Sequence, residues 1–452
     1  MATRRRTGGR FEGPCQNCEH KPTCVPYGEL DLYLFGRRGF QREQALTAMD
    51  VALDGVVAAF TQSLRALEAA GSFERADLGI ALAALVDFCI TGVYTNGLVS
   101  DQAQFRQNAL SCGGNHAFFP YTWMCPLCVA SQRANVEAYL PGAERKTDKG
   151  VTRDYPQVRW LAKPGGRAIG DQGIQVVKSL LRATLNASGS NARLRDGGGA
   201  RGEFDLTIAT DMLIAFIEVK AKPMLAFPLL AELNRPITAQ GTHVWEAIEI
   251  ADVERLYLFL GAINDKVALT KPTPGETAIW PLNDLAEVAR QPENVEKVYR
   301  NWKAQCEAYF APGEPNHLRW HRFGCGNFAH VEPAGLRVEK RVANTKELPG
   351  LDRTDDIKKG AAQVLKYSRL KFDCTRRALR AVLLGNTHAL SHHDDYVAPI
   401  INLKVLANGA DPARAEWIFD AMVGLTKNTF NDPGLAEVFA FERLLDAGTP
   451  LT

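Results

Sequence analysis

The sequence predicts an α/β protein whose core is a mixed central sheet flanked by helices, with a helical, cysteine-rich region before it and a helical region after it. Three observations lead there. Two short apolar runs, LTIA over 206–209 and LIAFIEV over 213–219, are separated by Thr210-Asp211, the pattern of a buried hairpin. A helical pattern over 245–253 and a third apolar run over 255–260 (RLYLFL) follow, giving the order strand, turn, strand, helix, strand of an α/β core. Seven of the ten cysteines fall in residues 15–128, among two helical patterns. A chain of 452 residues suits two or three domains. We divide it into a Cys-rich, metal-binding helical domain over 1–145, the sheet-containing core with insertions over 150–385, and a helical region over 386–452.

The remaining elements follow from periodicity. Residues 1–10 (MATRRRTGGR) carry four arginines and no following apolar core, so they read as a basic arm and not as a secretory signal. Apolar residues at helical spacing (Met49, Leu53, Val56, Val57, Phe60, Leu64, Leu67) predict a helix over 44–67, and a second runs over 76–90. Residues 140–166 are polar, with Pro141, Pro156 and Pro164, and read as a linker. Ile174, Val177, Leu180, Leu181 and Leu185 predict a helix over 171–185. Residues 189–202 form a Gly-rich basic loop, and 234–241 a second loop. Helices are expected over 285–310, over 352–370 with Thr354 or Asp355 as N-cap, and through 411–445.

Three polar side chains interrupt the hairpin. Asp205 stands before the first strand; Glu218 and Lys220 end the second, after twelve intervening residues. Alternation along a strand puts Glu218 and Lys220 on one face, about 6–7 Å apart, and the hairpin returns Asp205 beside them. Magnesium takes oxygen ligands, typically one or two carboxylates plus substrate phosphate and water. Asp205 and Glu218 fit that set, with the Val219 carbonyl as a third oxygen. Lys220 would orient or deprotonate a water and offset phosphate charge. The plain alternative is a Glu218–Lys220 ion pair at a strand end, a common and weak feature. Against it, an acid and a lysine within an apolar strand are costly unless paired or on a metal.

The pattern Asp205…Glu218-x-Lys220 resembles the active-site motif of the PD-(D/E)xK nuclease superfamily, and in particular of type II restriction endonucleases. Phe204 stands where that motif often has proline. The resemblance covers roughly 165–265, with an echo at 352–370. It implies a restriction-endonuclease-like core, Mg²⁺-dependent hydrolysis of both strands of duplex DNA at a short specific sequence, and 5′-phosphate ends. It also implies a cognate DNA methyltransferase in the same system. Palindromic sites imply a homodimer, because protein symmetry must match that of the DNA. The family often adds an acid from its first helix. Here the 171–185 helix offers Asp171, Gln172 and Gln175 but no Glu.

Cysteines and basic residues fill out the reading. Cys15-x-x-Cys18 and Cys125-x-x-Cys128 are metal-ligand spacings in a cytosolic protein, and together make a tetrahedral Zn²⁺ site, with Cys24 and Cys112 as alternates. The C-x2-C-x5-C run of Cys15, Cys18 and Cys24 also resembles iron–sulfur nucleases, in which this triplet follows the nuclease core. Arg193, Arg195 and Arg201 on the Gly-rich loop, and Lys358, Lys359 and Lys366 along one side of the 352–370 helix, are candidate DNA contacts. The histidines of 317–330 (HLRWHRFGCGNFAH) read as structural or DNA-contacting residues rather than metal ligands, and 387–396 (THALSHHDDY) reads as an exposed loop rather than a metal site. Net charge is +2, so a local basic groove would have to serve DNA. No GxxxxGK[ST] loop occurs, which argues against an ATP-driven motor. The best apolar run, 79–90, is interrupted by Asp87, so no membrane span and a cytoplasmic location are expected. Two other functions fit the same residues: a repair or recombination nuclease with an iron–sulfur cluster, and a non-catalytic zinc-containing DNA-binding protein.

Overall fold

The computed structural model describes residues 46–99, 106–119, 125–127, 143–148, 151–156, 166–197, 204–210, 212–225, 227–239, 244–272, 278–310, 349–368, 371, 378–406, 412 and 415–446. The expected Cys15, Cys18, Cys24 and Cys128, Arg201, and the 317–330 run lie outside them. The described strands are β1 Arg106–Ser111, β2 Gly114–Phe119, β3 Ala143–Asp148, β4 Val151–Pro156, β5 Arg193–Asp196, β6 Leu206–Ala209, β7 Leu213–Val219, β8 Leu229–Ile237, β9 Val244–Glu249, β10 Val253–Leu260, β11 Asp265–Leu269, β12 Ala378–Gly385, β13 Lys404–Val405, β14 Glu416–Trp417, β15 Ala421–Gly424 and β16 Lys427–Phe430. The described helices are α1 Ala48–Ala69, α2 Leu78–Val99, α3 Gly166–Ala187, α4 Leu282–Ala289, α5 Pro292–Phe310, α6 Thr354–Ser368, α7 Ala398–Ile401 and α8 Gly434–Val438.

Two six-stranded sheets organise the chain. The first, in the order β16-β15-β12-β7-β6-β5, is mixed: β12 runs parallel to both β7 and β15, and the outer pairs are antiparallel. The second, β11-β10-β8-β2-β1-β9, is antiparallel throughout. A mixed α/β architecture is therefore present, as expected. The β6–β7 hairpin falls on the predicted residues, closed by Thr210 Oγ1 accepting from the Leu213 and Met212 amides at 3.0 and 3.2 Å.

Strand alternation sorts β7 between two layers. Ala215, Ile217 and Val219 join the large core beneath α1, α2 and α3. Ile214 and Phe216 face the other way, towards Phe204 and the Tyr367 of α6. Thr47 opens α1 with a reciprocal cap: its hydroxyl accepts from the Asp50 amide at 3.1 Å, and the Asp50 carboxylate accepts from the Thr47 amide at 3.0 Å.

Several expectations need correction. Residues 245–253 form strand β9 and one 3₁₀ turn, not a helix. WEAIEIA is rich in helix formers, but pairing with β1 from Arg106↔Glu249 to Ser111↔Val244 overrides that weak preference. Residues 234–237 of the expected 234–241 loop continue strand β8, and 140–166 contains the β3–β4 hairpin. The C-terminal region is not wholly helical: besides the short α7 and α8 it supplies β15 and β16, which complete the mixed sheet. AMVG, buried on both faces, has no periodicity by which to tell a strand from a helix. The described N-terminal helices α1 and α2 share one core with both sheets.

Helix α2 runs past the expected 76–90 to Val99. By length and composition the stretch Arg75–Gly97 suffices to cross a membrane, but 78% of its apolar part is buried inside the protein. Asp87 is tolerated because four donors satisfy it. Its carboxylate accepts from the amides of Met224 (2.8 Å) and Leu225 (3.0 Å), from Trp302 Nε1 (2.9 Å) and from Asn386 Nδ2 (3.0 Å). Complete burial pushes its pKa up to about 7, against the pull of those donors.

Candidate active site

The fold brings Asp205, Glu218 and Lys220 to one cleft of about 360 Å³. Asp205 precedes β6 and its amide donates to the Ile217 carbonyl at 3.0 Å, which fixes the hairpin register at that level. Its Oδ2 accepts from the Val219 amide at 2.7 Å. Glu218 lies on β7, on the face opposite the main core, and is 6% exposed. Lys220 follows β7; its amide donates to the Leu384 carbonyl of β12 at 2.7 Å, so the strand is held past its last sheet residue. Lys220 Nζ lies 2.5 Å from Glu218 Oε1 and donates to the Val219 carbonyl at 3.2 Å. The ion pair considered from sequence thus exists, and it exists inside the cleft with Asp205.

Burial raises the pKa of Asp205; the Val219 amide and Lys220 oppose this, and the charge of Asp171 adds to it. Burial likewise raises Glu218, opposed by Lys220 and reinforced by Asp205. Asp205 thus feels both Asp171 and Lys220, and Glu218 feels Asp205 and Lys220, in a cleft that Lys222, Lys359 and Arg353 also line.

Two helices close the cleft. The N-terminal end of α3 contributes Ile169, Gly170, Asp171 and Ile174. Gly173 permits this approach: a Cβ there would meet the Ala221 carbonyl oxygen at 2.6 Å. Asp171, the acid offered from the first helix, is therefore at the site. From α6 and the residue before it come Arg353, Asp356, Lys359 and Gln363. Arg353 holds Asp356 at 3.0 Å, and Tyr367 donates its hydroxyl to Glu218 Oε2 at 3.3 Å. Tyr367 stands 149 residues from Glu218 and nothing local in the sequence marks it.

The DNA-contact candidates divide. Lys359 lines the cleft. Lys358 leans on the Tyr396 ring, 5.2 Å from its centroid, so it does not share the cleft-facing side. Lys366 is exposed. Arg193 and Arg195 sit on edge strand β5 opposite Ala209 and Thr207. The expected 189–202 loop instead contains strand β5, and Gly197, just after it, donates to the Asp205 carbonyl at 2.7 Å. Arg193 stands four residues back, about 13 Å along the strand.

Of the metal-ligand cysteines, Cys112 and Cys125 are described, and they meet at His116, which the sequence reading left out. The signal for it was present: His116 follows Cys112 by four residues, across a Gly-Gly turn. No family model, curated protein or solved structure matches the chain.

Proposed function

We propose that the protein is a Mg²⁺-dependent nuclease of the type II restriction kind, hydrolysing both strands of duplex DNA at a short specific sequence. The observation that carries this reading is the convergence of Asp205, Glu218 and Lys220 from two hairpin strands in one cleft, with Asp171 delivered from the flanking helix. The donor set suits the ion: two hard carboxylates and the Val219 carbonyl leave positions for water and phosphate oxygens. When bound, Mg²⁺ would polarise the phosphorus centre and stabilise the departing oxygen.

The chain's own residues supply the rest. The Val219 amide holds Asp205 in place through one oxygen, and the carboxylate would hold the ion. Tyr367 and Lys220 orient Glu218 from its two oxygens. Lys220 Nζ would orient or deprotonate the attacking water and offset charge on the phosphate. In-line attack forms the new P–O bond and breaks the bond to the 3′ oxygen, leaving 5′-phosphate and 3′-hydroxyl ends. Lys359 and Arg353 would receive the backbone phosphates flanking the scissile one. Recognition of a palindromic site calls for a homodimer, and protection of the host DNA calls for a methyltransferase partner.

The test is digestion of a plasmid of known sequence with Mg²⁺ and with EDTA, followed by sequencing of the ends. Discrete fragments with 5′-phosphates are expected with Mg²⁺ alone. Asp205→Ala, Glu218→Ala and Lys220→Ala should each abolish cleavage while sequence-specific binding persists. A ladder of ends points to an end-acting repair nuclease. Cleavage undiminished in any of the three variants overturns the site.

A further inference from the structure

The geometry points to a second metal centre, a zinc site built on Cys112, His116 and Cys125, at the antiparallel sheet and separate from the carboxylate cleft. Among the described residues this is the group of three Cys, His, Asp or Glu side chains whose ligand atoms all lie within 4.8 Å of one another. Cys112 Sγ lies 3.3 Å from His116 Nε2, and Cys125 Sγ lies 3.7 Å from the same nitrogen. Bonds of ~2.3 Å to sulfur and ~2.0–2.1 Å to nitrogen at a tetrahedral angle put such atoms about 3.6 Å apart. The spacings therefore match a shared ion at the centre.

The local structure explains how the ligands meet. The β1–β2 hairpin turns at Cys112-Gly113-Gly114, and both glycines have positive φ, 105° and 79°. Side chains other than glycine rarely adopt that backbone, so the turn demands Gly-Gly and thereby fixes Cys112 against His116. Cys125 is fully buried in a small cluster with Phe118, Leu230 and Phe259. A thiol–imidazole hydrogen bond explains one sulfur at His116; it does not explain two converging on the same nitrogen. Soft thiolates with an imidazole select zinc over magnesium. His116 also lines an open cleft of about 640 Å³, which gives the ion a route in. The ion would tie the hairpin turn to the segment at Cys125, which packs against Leu230 of β8 and Phe259 of β10.

The test uses the full chain. Zinc is counted by mass spectrometry after gel filtration, and the protein is refolded with Co²⁺ to record thiolate-to-cobalt charge transfer and tetrahedral d–d bands. His116→Ala and Cys112→Ser should each carry one zinc fewer per chain than the wild type. This difference is the readout because Cys15, Cys18 and Cys24 are also present. His116→Cys keeps the ion and adds one thiolate's charge-transfer intensity, so it decides the matter if the other variants fail to fold. Asp205→Asn should retain the full zinc content. Equal zinc in the wild type, His116→Ala and Cys112→Ser, or a cobalt spectrum unchanged in His116→Cys, overturns the site.

Discussion

Gly173→Ala tests how α3 delivers Asp171. The added methyl would stand 2.6 Å from the Ala221 carbonyl oxygen and 3.1 Å from its Cβ, where ordinary contact begins at 3.4 Å. The start of α3 must therefore retreat by about 0.8 Å, because the obstructing oxygen belongs to backbone that is itself held in place. Two stability effects compete. Replacing glycine by alanine within a helix contributes about 0.8–1 kcal/mol, whereas overpacking a filled site costs about 1–3 kcal/mol. The net expectation is a loss of up to about 2 kcal/mol. Activity should suffer more, since a displacement near 1 Å at catalytic groups costs up to about 100-fold. We expect cleavage to fall about 10–100-fold with a raised Mg²⁺ requirement. Urea unfolding and Mg²⁺ titration of plasmid cleavage measure both. Gly55→Ala is the control: it lies in α1 with nothing within 4 Å of its Cβ, so it should gain about 1 kcal/mol and cut normally. A Gly173→Ala protein that is more stable and equally active would refute the reasoning that this contact sets the site.

Two further outcomes concern the scaffold. Asp87→Ala leaves the Met224, Leu225, Trp302 and Asn386 donors buried without their acceptor, so unfolding free energy should drop by about 3 kcal/mol or more; a loss below about 1 kcal/mol in urea unfolding would show that the network is not needed. His388 is pulled down to about 4, first by burial and then by the charges of His393 and Lys427. Its folded pKa is thus below its unfolded value of 6.5, so the unfolded chain binds the extra proton between those values. Stability should be fully present above pH 6.5 and be lost as pH falls towards 4. His388→Gln should narrow the pH 7 to pH 4.5 stability difference by about 1–2 kcal/mol; identical pH profiles of unfolding in the two proteins would remove His388 as the cause.

The sequence by itself determined the features that live within one or two turns of chain. Alternation and apolar runs located β6 and β7 to the residue, because strand periodicity is a local property. Helical spacing located α1, α3 and α6 with ends two to five residues off, whereas α2 runs nine residues past its expected end and the single helix expected over 285–310 is two, α4 and α5. The order of Asp205, Glu218 and Lys220 was legible for the same reason: adjacent strands joined by a tight turn must bring them together. Tertiary structure decided what depends on distant pairing. Inserting β12 between β7 and β15 makes the sheet mixed, and neither ALRAVLLG nor AMVG announces its partner. WEAIEIA became a strand because β1 was there to pair with it. Tyr367 reached Glu218, Asp171 reached the cleft through the gap at Gly173, and Cys125 met Cys112 and His116, each through packing that no local spacing encodes. Local periodicity reflects which face of an element is apolar. Which element covers that face is settled by the collective fit of the whole core.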